Sequence, residues 1–266
     1  MERIIPLPDG EQMACMTFGQ GRPIVCIHAP CIGSVNFQYQ QTLADSYELI
    51  IPDLPGHGRS SALAKPYTIH DLATLLHRLL GALGLERPYL LGYSQGAAIA
   101  LEYALCFPEE ISGLILASGF SEVDDLYLHS RFSVAQALAT LHGVPLLARS
   151  IASSHTDDPQ TRDHWIQHAS RTDAVTLKQL YAAGHSYRCT QRLHELSMPT
   201  LLVYGGEDTR MHPYGQLFRR HLPHAKLIFL PGVPHQVVTK AAASFNQLCR
   251  DFVAHEKKRE TIPSFT

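Results

Sequence analysis

Short apolar runs alternate along the chain with segments whose apolar residues recur every three or four positions. Residues 23–29 and 47–53 have the length of buried β-strands, whereas 68–84 places leucines at the spacing of one helix face. The same pattern predicts further strands at 3–8, 12–19, 88–93, 111–119, 200–206 and 225–232. It also predicts helices at 96–107, 214–221 and 238–256. This alternation predicts an α/β protein with a mostly parallel sheet and helices on both faces.

The turns and one long insertion complete the predicted organisation. Asp9 and Gly10 separate the first two strands and are typical of a hairpin. Between residues 121 and 197 there is no strong strand pattern, and helical patterns occur at 133–152 and 163–169. We interpret 121–197 as a helical cap, with residues 1–120 and 198–266 forming the core. In such sheets a ligand binds at the carboxyl ends of the strands, which the cap would cover.

Composition excludes several classes of function. A formal net charge of −2 gives no electrostatic basis for binding nucleic acid or an anionic membrane. The apolar runs are too short to cross a bilayer, and the N-terminus lacks the order of a signal peptide, so a cytoplasmic location is expected. The six cysteines form no Cys-x-x-Cys pair and are expected to be reduced thiols. The sixteen histidines show no metal-binding spacing, so no metal is expected.

A serine lies at the junction of a predicted strand and a predicted helix. Gly92-Tyr93-Ser94-Gln95-Gly96 fits the pattern Gly-x-Ser-x-Gly in the strand–turn–helix context of a nucleophile elbow. Such a turn strains the serine backbone and exposes its hydroxyl, and the next amide faces a developing oxyanion. We therefore predict Ser94 as a nucleophile and the Gln95 amide as an oxyanion donor. The alternative is a tight turn in which the serine is incidental.

A serine nucleophile needs a base, and the base needs an orienting acid. Asp208 follows a late strand and is our choice for the acid, with its neighbour Glu207 as the second choice. His235 follows the next strand and precedes a helix, which is where the base is expected. A helix-capping role is the alternative interpretation of this histidine.

With these residues and the loop Asp53-Leu54-Pro55-Gly56-His57-Gly58-Arg59-Ser60, nearly the whole chain resembles the α/β-hydrolase superfamily. The resemblance implies a twisted, mostly parallel eight-stranded sheet flanked by helices, with a helical cap after the sixth strand. It also implies that no cofactor is needed. Members with an aspartate nucleophile open epoxides or remove halogens, and a serine at position 94 argues against both.

The sequence departs from the family at the second oxyanion donor. The family usually has His-Gly-x after the third strand, with the amide of x as the donor, but here the residues are His28, Ala29 and Pro30. Proline has no amide hydrogen. We predict that the loop is shifted and that Cys31 donates, with Ala29 or Gln95 alone as alternatives. His28 is expected to be a structural hydrogen-bonding group beneath the loop.

These residues predict hydrolysis of an ester or related acyl bond in a small to medium, partly apolar molecule. The alternatives are acyl transfer, cleavage of a carbon–carbon bond beside a carbonyl, or a small-molecule receptor with vestigial turnover. Aromatic side chains of the cap are candidates either for lining the pocket or for packing the cap itself: Tyr127, Phe132, Trp165, Tyr181 and Tyr187. The substrate and the oligomeric state remain open.

Overall fold

A computed structural model of the chain describes residues 1–8, 10–63 and 65–261, with side chains described as far as Glu256. The predicted hairpin forms between β1 (Glu2–Pro6) and β2 (Gln12–Phe18), which pair antiparallel. Its turn residue Asp9 lies outside the described residues.

The sheet has eight strands in the order β1-β2-β4-β3-β5-β6-β7-β8. The remaining strands are β3 (Arg22–Ile27), β4 (Tyr47–Pro52), β5 (Tyr89–Tyr93), β6 (Gly113–Ala117), β7 (Thr200–Gly205) and β8 (Lys226–Leu230). β2 pairs antiparallel with β1 and β4, and every later pairing is parallel. The predicted strands are all present, and the prediction of a mostly parallel eight-stranded sheet is confirmed.

The central strands are buried on both faces because helices cover both sides of the sheet. Every residue of β5 and β6 is buried. Successive residues point to opposite faces, so Leu90 and Leu114 join the core on one side, whereas Leu91 and Ile115 join the core on the other. Continuous apolar runs are therefore the expected sequence of these strands.

Outside the predicted cap, the described residues form five α-helices: α1 (Ile69–Ala82), α2 (Gly96–Cys106), α7 (His212–His221), α8 (Val237–Lys240) and α9 (Ala242–Thr261). Thr68 and Asp71 form a capping box at the start of α1, which explains why the helix begins there. The single helix predicted over 238–256 is wrong in detail, because non-helical backbone at Ala241 separates α8 from α9. Two 3₁₀ segments, separated by a kink at Phe37, span Ser34–Asp45 between β3 and β4 and have no counterpart in the prediction.

Between β6 and β7, within the segment predicted as a cap, the chain forms α3 (Leu126–Thr140), α4 (Val144–His155), α5 (Pro159–Ala169) and α6 (Ala174–Ser186). Asp125, Asp158 and Asp173 cap α3, α5 and α6 by accepting hydrogen bonds from amides of the first turn. The continuous pattern at 133–152 divides between α3 and α4, because His142 has positive φ and Gly143 caps α4.

None of the helices in the described part of the chain combines the length and the apolar character needed to cross a membrane.

Candidate active site

The turn between β5 and α2 holds Ser94 in the left-handed region of backbone space, with φ of 53°. Both flanking glycines are required by close contacts. A Cβ atom on Gly92 would lie 2.5 Å from the Cα of Ala97, and one on Gly96 would lie 2.1 Å from the carbonyl oxygen of Ile27. The chain therefore accepts a strained serine at the tip of the turn, which is the geometry of a nucleophile elbow.

The predicted base and acid lie beside this serine. His235 Nε2 is 3.2 Å from Ser94 Oγ, and His235 Nδ1 is 2.6 Å from Asp208 Oδ2. The carboxylate accepts from Nδ1–H, which leaves Nε2 free to accept the serine proton. Ser118 Oγ donates to the carbonyl of His235 over 2.9 Å and holds the loop after β8 in place. The side chain of His235 is 29% exposed, so a substrate can reach it.

Neither Glu207, the second choice for the acid, nor the nearby His212 takes part in these hydrogen bonds. Glu207 is exposed, and its amide donates to the carbonyl of Val233. His212 contacts the carbonyl of Gly205 through Nε2 at 3.0 Å and does not contact Ser94. Asp208 is thus the carboxylate that the structure brings to His235.

The structure corrects the prediction for Cys31. Its amide donates to His57 Nε2 over 2.9 Å, so it is not available to an oxyanion. The amide of Ala29 donates to Asn36 Oδ1 over 3.3 Å, and Pro30 has no amide hydrogen. Of the predicted donors, the amide of Gln95 remains, and it lies at the N-terminus of α2 where the helix dipole favours negative charge.

Two buried histidines fix the loop that follows β3. His28 donates from Nδ1 to the carbonyl of Ala29 and accepts at Nε2 from the amide of Leu54, at 2.7 and 2.8 Å. His57 donates from Nδ1 to the carbonyl of Pro55 at 3.0 Å. Burial lowers the pKa of His28 to about 3 and lowers the pKa of His57. Both rings therefore act as neutral structural groups, as expected for His28.

The helices between β6 and β7 contact both residues that flank Ser94. Gln95 Nε2 donates to the carbonyl of Leu180 in α6 over 2.6 Å. The hydroxyl of Tyr93 donates to Nε2 of His155, at the end of α4, over 3.2 Å. His155 keeps its Nδ1 proton on the carbonyl of Ile151 at 2.8 Å. Helices α4 and α6 are thus attached directly to the residues on either side of Ser94.

Comparison with known proteins identifies the fold family. The sequence model of the family described as alpha/beta hydrolase fold matches residues 22–240. The chain belongs to the α/β-hydrolase family. It is 26% identical to a 2-hydroxy-6-oxononadienedioate/2-hydroxy-6-oxononatrienedioate hydrolase of Cupriavidus pinatubonensis over 95% of each chain. It is 28% identical to Lipase 1 of Psychrobacter immobilis, over 89% of this chain and 79% of that enzyme.

Solved structures confirm the fold. An esterase from Exiguobacterium antarcticum superposes with a TM-score of 0.85 at 21% identity, over 97% of this chain and 100% of the esterase. At that identity the likeness shows the fold alone. This superposition confirms the predicted fold. The sequence relatives, which are hydrolases, confirm the prediction that this α/β-hydrolase is an enzyme of that class.

Sequence reasoning missed several residues that shape this α/β-hydrolase's site. His57 lies in the glycine- and proline-rich loop already noted, and its role follows only from the position of the Cys31 amide. Ser118 directly follows β6 with φ of 48°, and no local pattern marks it. His155 is one of sixteen histidines, and only the tertiary contact with Tyr93 distinguishes it.

Two of the candidate aromatic residues between β6 and β7, Trp165 and Phe132, pack against protein. Trp165 is fully buried and donates Nε1–H to Gln38 Oε1 over 2.9 Å. Phe132 packs edge-to-face against Phe120 and Tyr181. These contacts favour the interpretation of both rings as packing residues over that of pocket-lining residues.

Proposed function

We propose that the chain is a serine hydrolase that cleaves an ester or related acyl bond of a small to medium, partly apolar molecule. The observation that supports this most directly is the hydrogen-bonded series Ser94–His235–Asp208, which starts at a strained elbow. The relatedness to Lipase 1 of Psychrobacter immobilis supports the same reaction class.

In the acylation step, Ser94 Oγ attacks the carbonyl carbon while His235 Nε2 takes the hydroxyl proton. Asp208 holds the ring in the Nδ1–H tautomer and stabilises its positive charge. The tetrahedral oxyanion forms at the N-terminus of α2, where the amide of Gln95 donates to it. When this intermediate collapses, His235 returns the proton to the leaving oxygen, and the acyl group stays on Ser94.

In the deacylation step, a water molecule donates its proton to His235 Nε2 and attacks the acyl carbon. Collapse of the second intermediate returns that proton to Ser94 Oγ and releases a carboxylic acid. Each half-reaction thus restores the charge state in which it began, and the side chains need no cofactor for either step.

Hydrolysis of a carbon–carbon bond next to a carbonyl is the second candidate. It is favoured by the 26% identical relative from Cupriavidus pinatubonensis, since the oxo-dienedioate in that enzyme's name contains no ester. Kinetics with a 2-hydroxy-6-oxo-dienoate and with p-nitrophenyl esters would distinguish the two candidates. The higher kcat/KM identifies the bond that this chain cleaves best.

The test of the nucleophile is Ser94→Ala, with the exposed cap serine variant Ser133→Ala as its control. We expect Ser94→Ala to fold normally, to lose ester hydrolysis and to lose labelling by a fluorophosphonate, because the acyl-enzyme cannot form. Ser133→Ala should keep both. Labelling that survives in Ser94→Ala would place the nucleophile elsewhere.

A cytoplasmic location and a small-molecule substrate belong to the same proposal. All six cysteines are free thiols, and five of them are buried, which suits a reducing compartment. The net charge of −2 supports a small molecule rather than nucleic acid or an anionic membrane.

A further inference from the structure

Three side chains of different chemistry converge at the end of α2 that is far from Ser94. His70 Nδ1 lies 3.0 Å from Glu102 Oε1. Cys106 Sγ lies 3.5 Å from His70 Nδ1 and 3.5 Å from Glu102 Oε1. A nitrogen, a carboxylate oxygen and a sulfur therefore form a nearly equilateral triangle, which is the one such grouping of metal-ligating atoms in the described part of the chain.

The dimensions of this triangle fit a tetrahedral metal ion. Zinc binds sulfur at about 2.3 Å and nitrogen or oxygen at about 2.0–2.1 Å. At those lengths, the edges of a tetrahedron of ligands are about 3.3–3.6 Å. The three observed separations need only a few tenths of an ångström of adjustment. A mixed thiolate, imidazole and carboxylate set also suits zinc better than calcium or magnesium, which prefer oxygen alone.

The backbone holds the three groups in place before any ion binds. Glu102 and Cys106 are four residues apart on α2 and so share one face of the helix. His70 lies in the first turn of α1, which packs against α2. The second carboxylate oxygen of Glu102 accepts the hydroxyl of Tyr187 over 2.9 Å. This hydrogen bond orients the carboxylate, as outer groups commonly do around metal ligands.

The cluster is also accessible from solvent. The side chain of His70 is 62% exposed, while that of Glu102 is 9% exposed. Cys106 is half-buried, and the other five cysteines are buried. Arg192 lies 3.9 Å from Glu102, but its guanidinium donates to Glu195 at 3.2 Å, so Glu102 and a Cys106 thiolate would offer the ion two negative charges.

We propose that His70 Nδ1, Glu102 Oε1 and Cys106 Sγ bind Zn²⁺, with water as the fourth ligand. Binding releases the thiol proton to solvent, and His70 then carries its remaining proton on Nε2. The site was hidden in the sequence because its ligands come from two helices, 32 residues apart at the nearest. Its ligands Glu102 and Cys106 lie roughly 10 Å and 16 Å along α2 from Gln95, at 1.5 Å per residue, so the site takes no part in the chemistry at Ser94.

The experiment uses the full chain after treatment with a chelator and dialysis. Zinc affinity is measured by competition with a chromophoric chelator, and Co²⁺ is added separately to report thiolate binding through its near-ultraviolet charge-transfer band. Cys106→Ser and His70→Gln remove one ligand each. His77→Gln is the matched control. His77 is also on α1 and also pairs with a carboxylate, that of Glu110 at 2.8 Å, but no cysteine joins this pair. Circular dichroism checks that each variant is folded.

We expect one zinc ion per wild-type chain and a cobalt–thiolate band. Cys106→Ser should lose the band, and both ligand variants should weaken zinc binding by at least about tenfold, whereas His77→Gln should match the wild type. Ester hydrolysis should be the same in Cys106→Ser and in wild type, with or without chelator. A wild-type chain without the cobalt band, or zinc affinity that is unchanged in both ligand variants, would overturn the proposal.

Discussion

Asp208 and Glu207 are adjacent carboxylates, but only Asp208 reaches the histidine, at 2.6 Å. We predict that Asp208→Asn lowers kcat for an activated ester by up to about 10⁴-fold, because His235 loses both its orientation and the charge that stabilises its protonated form. Glu207→Gln is the matched control, since Glu207 is exposed, and its kcat should stay close to that of wild type. If Glu207→Gln abolished turnover while Asp208→Asn did not, the acid would be misassigned.

Pro30 is the residue at which the site differs most from its family. The amides on either side of it are both engaged, that of Ala29 by Asn36 and that of Cys31 by His57. An amide introduced at position 30 would therefore add a donor that the wild-type loop lacks. Removing one oxyanion donor lowers kcat by about 10²–10³-fold, so adding a donor is expected to raise kcat.

We accordingly expect Pro30→Ala to raise kcat on p-nitrophenyl acetate by about tenfold. The measurement is kcat for wild type and variant, with the thermal midpoint as a control for loosening of the loop. A lower kcat at unchanged stability would show instead that the fixed φ of Pro30 positions this loop.

At the scale of elements, α6 packs so closely against the Gln95 side chain that only glycine fits at position 184. A Cβ atom on Gly184 would lie 2.3 Å from Cδ of Gln95, whose side chain holds the carbonyl of Leu180. Gly81 provides a matched position in α1, because a Cβ atom there meets nothing within 4 Å. Alanine at either position changes helix propensity, but only alanine at 184 also contacts Gln95. Comparing the two variants therefore separates these effects.

We predict that Gly81→Ala raises the free energy of unfolding by about 0.5–1 kcal/mol, as expected for alanine in a helix. Gly184→Ala should lack this gain and should lower kcat/KM, because the Gln95 side chain must move and α6 with it. Urea unfolding and ester kinetics on both variants provide the measurements. Equal gains in stability with unchanged kinetics would mean that the cap does not depend on this contact.

Helices and strands were predictable from sequence where their buried residues form a strong apolar pattern. β5 and β6 are buried on both faces, so their apolar runs were unmistakable. α6 was missed because its buried face carries only two large apolar residues, Leu177 and Leu180. The other buried positions of that face are Thr176, Ala183 and Gly184, which give a weak apolar pattern. The break between α8 and α9 at Ala241 involves neither glycine nor proline, so no local pattern marked it.

The site followed the same rule. Ser94 and its glycines were predictable because the elbow imposes local steric demands, and Asp208 and His235 because each follows a strand of recognisable order. The commitment of the Cys31 amide to His57 was not predictable, since it joins loops 26 residues apart through a buried ring. That contact depends on packing, which one sequence does not report.

Considered as a whole, the molecule buries neutral histidines at several separate places. His28 and His57 lie beneath the loops at the ends of β3 and β4 and are fully buried, and His155 lies in the cap with 6% exposure. Burial lowers the pKa of His155 to about 4, and that of His28 to about 3. In the unfolded chain each should titrate near its ordinary pKa of about 6.5.

This difference predicts acid sensitivity of the fold. Above pH 6.5 these histidines are neutral in both states and impose no cost. As the pH falls below 6.5, the unfolded chain takes up protons that the folded chain excludes, so stability is lost progressively down to the folded pKa values. His28 and His155 each contribute a slope of about 1.4 kcal/mol per pH unit in this window, and His57 adds to it in the same direction. We therefore expect the free energy of unfolding to fall steeply between pH 6.5 and 4.

The measurement is urea unfolding at several pH values in wild type, His155→Gln and His164→Gln. Glutamine at 155 can still accept the Tyr93 hydroxyl but cannot titrate, so this variant should lose about one histidine's share of the slope. His164 is exposed on α5, and its replacement should leave the slope unchanged. The explanation would be wrong if wild-type stability were flat between pH 6.5 and 4, or if His155→Gln declined as steeply as wild type. If the slope of stability against pH were reduced in His155→Gln and not in His164→Gln, that part of the acid sensitivity would be assigned to His155, the ring that bonds Tyr93.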